Sequence, residues 1–278
     1  MATSKGWLME RTLFSPSMLE AFRACKRAYF LAFLRDGAER ARSRDANVCK
    51  RFILKGLAEI NRGKLTGVPQ IQKFMGQYWP LDRIKSEPGK DTATRAFLFA
   101  YKTLIRYAAN PYMPEGAELA GVNIKVRSRI QAERIYLEDV FDMVLWHPRE
   151  KRLELVIFHL KPAREEDAAW PSASTLVRQN LAERLRVRFP FETLTLTLLR
   201  TSPQETKVSS RELPESMYRL HWPDIVKNLD EMQELSKLPE LPAHPQEDCQ
   251  YCHALERLMV RETPESTDST QNGYPLSA

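Results

Sequence analysis

The sequence predicts an α/β chain, with strands and amphipathic helices interleaved, and three stretches carry that reading. Tyr136–Lys161 has the form of a hairpin. Runs rich in Val, Leu, Ile, Phe and Trp lie on either side of the charged turn Pro148-Arg149-Glu150-Lys151-Arg152. Asp91–Ala109 gathers Ala93, Phe97, Leu98, Tyr101, Leu104, Ile105 and Ala108 on one side, the pattern of a helix with a buried stripe. Glu192–Leu199 alternates Thr with Leu, the period of a half-buried strand.

The elements follow in order. Ser15 is a predicted N-cap and Pro16 suits the first turn of an opening helix, whose apolar residues Leu19, Phe22, Tyr29, Phe30, Phe33 and Leu34 recur at near-helical spacing. Asn47–Leu57 begins a second helix. Lys64–Gly89, polar with scattered Pro and Gly, reads as a connection with at most short helices. Val122–Ile130 reads as a strand with Lys125, Arg127 and Arg129 on one basic face. In the hairpin, Tyr136–His147 is the first strand and Leu153–Lys161 the second. Leu153, Leu155, Ile157, His159 and Lys161 share one face of that second strand; Glu154, Val156, Phe158 and Leu160 share the other. Pairing in register brings Asp142 toward His159 and Lys161. Pro162–Ser172 is a loop, Ala173–Arg188 a basic helix carrying Arg178, Arg184, Arg186 and Arg188, and Ser216–Leu238 contains a further helix. Leu238–Gln246 is Pro-rich and extended. Residues 1–262 read as one domain and 263–278 as a disordered Ser/Thr/Pro-rich tail.

Composition narrows the function classes. At 278 residues and 43% hydrophobic, the chain can bury a core. A net charge of +6 suits an anionic partner, and twelve basic residues against five acidic ones fall between Glu20 and Lys64. Met1–Arg11 lacks the apolar core of a signal peptide, and no run reaches the ~20 apolar residues of a membrane span, so the expected location is the cytoplasm, away from membranes. Of the four cysteines, Cys249 and Cys252 form a C-x-x-C pair, a spacing that can chelate one metal or bridge cluster irons.

An acid on one hairpin strand and a lysine at the end of the next is the skeleton of a metal-dependent phosphodiester site. The arrangement resembles the PD-(D/E)XK nuclease superfamily, in the RecB-like branch with RecB, AddB and the CRISPR-adaptation exonucleases. Asp142 stands at the first acid of that pattern and Lys161 at its lysine, while His159 occupies the place of the second acid. The opening Ser15-Pro16-Ser17 helix followed by Cys25 is a second match. Val48-Cys49 stands where the branch carries a Val-His pair. Gln179 matches its helical Gln, and Glu183 replaces a Tyr one turn on. Cys25, Cys249 and Cys252 match three cysteines of a four-cysteine iron–sulfur site whose fourth position falls near Leu258.

The resemblance implies a PD-(D/E)XK nuclease-like core: a central mixed β-sheet flanked by helices, closed by N- and C-terminal segments meeting at Cys25, Cys249 and Cys252. It implies Mg²⁺ or Mn²⁺ as the metal of an active site, held by Asp142 and by Glu183 if that residue has taken over the second acid. The other reading of Glu183 is a surface residue paired with a neighbouring arginine. The cysteines either hold a cluster lacking its fourth ligand or simply pack. Nucleic acid, DNA above all, is the implied partner, with Lys125, Arg127, Arg178 and Arg184 as candidate contacts, alongside a protein partner in a larger complex. Since imidazole at His159 removes one charge and one hard oxygen ligand, the expectation is a catalytically impaired nucleic-acid-binding subunit. An active nuclease with a relocated carboxylate and a structural adaptor are the alternatives.

Overall fold

Four largely hydrophobic strands from the middle of the chain, with a short N-terminal strand and a polar edge strand, pair into a six-stranded mixed sheet, and helices cover both its faces. A computed structural model of the protein describes residues 12–34, 39–80, 90–130, 135–160, 171–237 and 249. The elements are β1 (Thr12–Phe14), α1 (Pro16–Ala24), α2 (Lys26–Tyr29), α3 (Glu39–Asn61), α4 (Val68–Tyr78), α5 (Lys90–Ala109), β2 (Glu118–Ile130), β3 (Ile135–His147), β4 (Arg152–His159), α6 (Ala173–Ala182), β5 (Thr193–Thr201), β6 (Thr206–Glu212) and α7 (Glu215–Leu235).

Local chemistry accounts for the boundaries. Ser15 caps α1, its hydroxyl accepting the Met18 N–H at 3.4 Å, and Pro16 takes the first helical position. The predicted opening helix is broken at Cys25, whose extended backbone ends α1 and whose Sγ accepts the Ala28 N–H to start α2. The connection expected over 64–89 contains an 11-residue helix, α4, because Ile71, Phe74 and Met75 recur at helical spacing and are buried. The helix expected over Ala173–Arg188 is shorter: α6 ends at Ala182 and tightens into a 3-10 turn over Glu183–Leu185. Strands β1 and β6 were not foreseen; one is three residues long and the other mostly polar and exposed.

The sheet contains a fork. Strand β2 pairs along nearly the whole of β3, from Glu118↔Trp146 to Ile130↔Ile135, and so occupies one edge. The other edge is shared. β4 pairs with it antiparallel from His147↔Arg152 to Met143↔Val156, and β1 pairs with it parallel at Ile135–Leu137. Between them, Glu138–Asp142 have no ladder partner on that edge. Beyond Val156, β4 leaves β3 but stays paired with parallel β5 as far as His159↔Arg200.

Alternation along the strands divides the core. Leu153, Leu155, Ile157, Leu194 and Leu196 pack with Leu19 and Phe22 of α1, Leu176 and Val177 of α6, and Ile225 and Leu229 of α7. Met143, Leu145, Val156, Phe158 and Leu199 pack with Phe52 and Leu57 of α3, Ile71 and Phe74 of α4, and Leu104 and Tyr107 of α5. The result is a helix–sheet–helix sandwich. Close approach of α3 and α5 requires Gly56, where a Cβ would lie 2.6 Å from Leu104 Cδ2. No helix among the described residues is long and apolar enough to cross a membrane.

Candidate functional site

Asp142 sits where the fork opens. Its Oδ2 accepts the Phe158 N–H at 2.8 Å, so a side chain supplies the hydrogen bond that the diverging strand has lost. Burial pushes its carboxyl up to about 6, against the opposing pull of the Phe158 N–H, Lys50 and Arg178. Asp139, three residues back along β3, is also engaged: Oδ1 accepts the Val140 N–H at 2.9 Å, and Oδ2 accepts Arg178 Nε at 2.9 Å. The Asp139–Arg178 pair is less than one-fifth exposed on either side. Two carboxylates and two cations, Lys50 from α3 and Arg178 from α6, therefore meet at the gap in the sheet.

The other predicted residues are placed as follows. His159 is exposed at the end of β4, in register with Arg200. Lys161, expected as the site lysine, lies outside the described residues, as do Cys252, the Pro-rich stretch and the tail. α6 turns Arg178 toward the fork and Gln179 away from it, and Glu183, in the 3-10 turn that follows, also points away. Gln179 donates to the Leu213 and Pro214 carbonyls at 3.1 and 3.3 Å, tying α6 to the start of α7. Glu183 pairs with Arg186 at 2.7 Å. Both line a cleft of about 460 Å³ with Arg186, Phe191, Glu215 and Tyr218, to which β3 contributes nothing. The helix thus brings an arginine rather than Glu183 to Asp142.

The candidate nucleic-acid contacts are largely compensated. Lys125 and Arg127 lie on the exposed face of β2, and both pair with Glu138 across the ladder, at 2.8 and 2.6 Å. Arg184 donates to Ser128 Oγ at 3.1 Å.

Among the described residues, the donor set at the fork does not fit Mg²⁺ or Mn²⁺. Hard cations need several oxygen ligands. Three carboxylate oxygens at the fork are committed to protein donors, and two cations already stand there. No group of three His, Cys, Asp or Glu side chains among the described residues is placed to hold a metal ion. A four-thiolate cluster fits no better. Cys25 and Cys249 share a small buried cluster with Ala28, whereas Cys49, on α3, packs against the α3–α4–α5 core. Burial pushes the Cys49 thiol up, away from the ligating thiolate form. With four cysteines in the chain, at most three can converge at Cys25.

Sequence reasoning placed Glu154 on the face opposite Ile157, and it lies there, but the site it builds was not foreseen. Glu154 and His147 are each 1% exposed. Glu154 Oε1 accepts from Tyr112 Oη at 2.8 Å and Thr197 Oγ1 at 2.6 Å, and Oε2 lies 2.9 Å from His147 Nε2. Arg152 closes the group, 3.1 Å from His147 Nδ1. The available signal was a Glu inside an otherwise apolar strand run, Leu153–Phe158, which must find partners.

No protein-family model matches the chain, and no curated protein sequence matches it. Among solved structures, it is similar to a crystal structure described as a candidate exonuclease from Eubacterium rectale. That match has a TM-score of 0.47 and 12% identity, covering 100% of this chain and 96% of the other. It is also similar to the crystal structure of SSO0001, with a TM-score of 0.29 and 11% identity over 67% of this chain and 85% of that one. Likenesses of this degree assign no function.

Proposed function

We propose that the chain is a nuclease-derived nucleic-acid-binding protein, impaired in cleavage, that serves a DNA-processing, repair or defence assembly. The observation that carries this reading is the fork itself. A buried acid, Asp142, which stands at the first acid of the RecB-like PD-(D/E)XK pattern, lies where β3 and β4 part, and Arg178 and Lys50 supply positive charge there. The elements of the resemblance also occur in its order: the capped helix α1, the β3–β4 hairpin, α6 with its Gln179, then β5. The net charge of +6 favours an anionic partner.

The test is incubation of end-labelled single- and double-stranded DNA with the protein, with Mg²⁺ and with Mn²⁺, beside Lys161→Ala. A salt-sensitive gel shift without cleavage is expected. Cleavage that disappears in Lys161→Ala would overturn the impairment. Absence of any shift at low salt would overturn the binding and leave the protein-adaptor reading.

A further inference from the structure

Helix α4 presents a charged and amide face beside an aromatic one. Ile71, Phe74 and Met75 are buried, while Gln70, Lys73 and Gln77 are exposed one turn apart. Against it lies the end of α3, with Lys55 and Glu59, followed by Lys64. These residues, with Leu65, Phe74 and Tyr78, enclose a cleft of about 490 Å³, in the size range of a small-ligand site.

Three features give this cleft a chemistry. First, it is basic: three lysines face one carboxylate, and Glu59 is already shared between Arg62 and Lys64. Lys55 and Lys73 make no ion pair among the described residues. Second, Tyr78 stands at its rim, 47% exposed. Its ring is the outer end of an aromatic series that continues through Phe74, Phe52 and Trp79 to Phe97, with centroids 5.0–5.4 Å apart. A large ring that is exposed on one side and braced by the core on the other is a rigid platform. Third, Lys55 Nζ lies 4.1 Å from the centroid of that ring. The ammonium thus covers the ring's face; a base that stacks there displaces this exposed, flexible cation toward its own phosphate.

We infer that this α3–α4 cleft binds single-stranded nucleic acid, with Tyr78 stacking an unpaired base and Lys55, Lys64 and Lys73 contacting its phosphates; this deepens the nucleic-acid-binding reading above and rests on it. A duplex has no free base face to offer Tyr78, so the combination of platform and lysines selects the unpaired strand. α3 also links the cleft to the fork. Lys50 acts on Asp142, and Glu59 at the cleft lies nine residues further, about 14 Å along the axis at 1.5 Å per residue. A strand following α3 would join the two places.

The test is fluorescence anisotropy of the full chain with labelled oligothymidine, oligouridine and a DNA duplex at low salt. It compares wild type with Tyr78→Ala, Tyr78→Phe and the double variant Lys55→Gln/Lys73→Gln. Tyr78→Ala is expected to lose about 5- to 100-fold in single-strand affinity, with Tyr78→Phe near wild type. The lysine pair is expected to weaken binding and flatten the salt dependence by roughly 0.7 per lost phosphate contact. Wild-type binding that survives in all three variants would overturn the cleft and leave nucleic-acid binding standing. Weakening by the lysine change alone would overturn the stacking role. Wild type that binds none of the three probes would remove both the cleft and the reading it rests on.

Discussion

The Phe158 N–H donates to Asp142 Oδ2 at 2.8 Å across the point where β3 and β4 separate. The bond explains why a carboxyl is tolerated there at all. The strand that leaves would strand an amide, and Asp142 takes it. The cost falls on the charged form, which burial pushes up to about 6.

That shift fixes a pH dependence. The folded-state value lies above the ordinary Asp value of about 3.9, so the folded protein holds the proton longer than the unfolded one. Asp142 therefore contributes stability below about pH 4, and that contribution is lost as pH rises through about 6. Two pKa units correspond to about 3 kcal/mol. Asp142→Asn keeps an acceptor for Phe158 and cannot ionise. It is expected to be more stable than wild type at pH 7–8 and flatter between pH 4 and 6, whereas Asp142→Ala is expected to lose about 1–3 kcal/mol through the orphaned amide. Urea denaturation across that pH range reads both; an Asn variant with the wild-type pH profile would refute the assignment.

Arg178 holds the fork electrically. It pairs with Asp139 at 2.9 Å and draws the Asp142 carboxyl down. In Arg178→Gln the two acids face each other with Lys50 as the cation that remains. The Asp142 pKa is expected to climb further, visible as a shift of the stability profile to higher pH. Divalent cations are expected to bind the variant more tightly than the wild type. Mn²⁺ titration followed by electron paramagnetic resonance compares the two directly, and equal affinity would show that the guanidinium does not stand in for a metal.

Much of this arrangement was legible in the sequence, for identifiable reasons. The hairpin, the α5 stripe and the Ser15 cap rest on period and on local hydrogen bonding, which act within a few residues. Asp142 was singled out because pairing in register brings it toward His159 and Lys161 and because it stands at the first acid of the RecB-like pattern. The orientation of α6 was not legible. Arg178 and Gln179 are neighbours about 100° apart on a helix, and only packing of Leu176, Val177 and Leu181 against the sheet decides which of them meets β3. The fork was equally hidden, since β1 supplies three residues from far away in the chain. α4 was concealed by its Pro and Gly neighbours, although Pro69 sits in the first turn, where it is tolerated.

The cysteines give a spectroscopic prediction. Cys25 and Cys249 are buried together, and Cys49 is held in a different core. Three thiolates cannot complete the usual four-cysteine set of an iron–sulfur cluster. Anaerobically purified protein is therefore expected to lack the broad absorbance near 400 nm, and Cys49→Ala to leave the metal content unchanged. A cluster that vanished in Cys49→Ala would contradict the separation of the two sites.

The buried group around Glu154 is expected to govern stability more than any surface charge. Its carboxylate is the shared acceptor for Tyr112 and Thr197 and lies against His147, with both His147 and Glu154 1% exposed. Truncation takes the shared acceptor from Tyr112, Thr197 and His147 at once; the Tyr112 hydroxyl, pushed up to about 12 chiefly by burial, stays protonated and is left with only the Thr197 and Ser210 hydroxyls as partners. Glu154→Ala is expected to cost about 3–5 kcal/mol. Glu154→Gln retains one acceptor oxygen but offers an NH₂ where the second was, so it is expected to cost less, about 1–3 kcal/mol. The surface pair Lys151–Glu192, more than half exposed on both sides, provides the contrast: Glu192→Ala is expected to cost under about 1 kcal/mol. Urea midpoints of the three variants order these effects, and a Glu154→Ala protein as stable as Glu192→Ala would mean that the network is dispensable packing rather than the pin that joins β3, β4, β5 and the loop before β2.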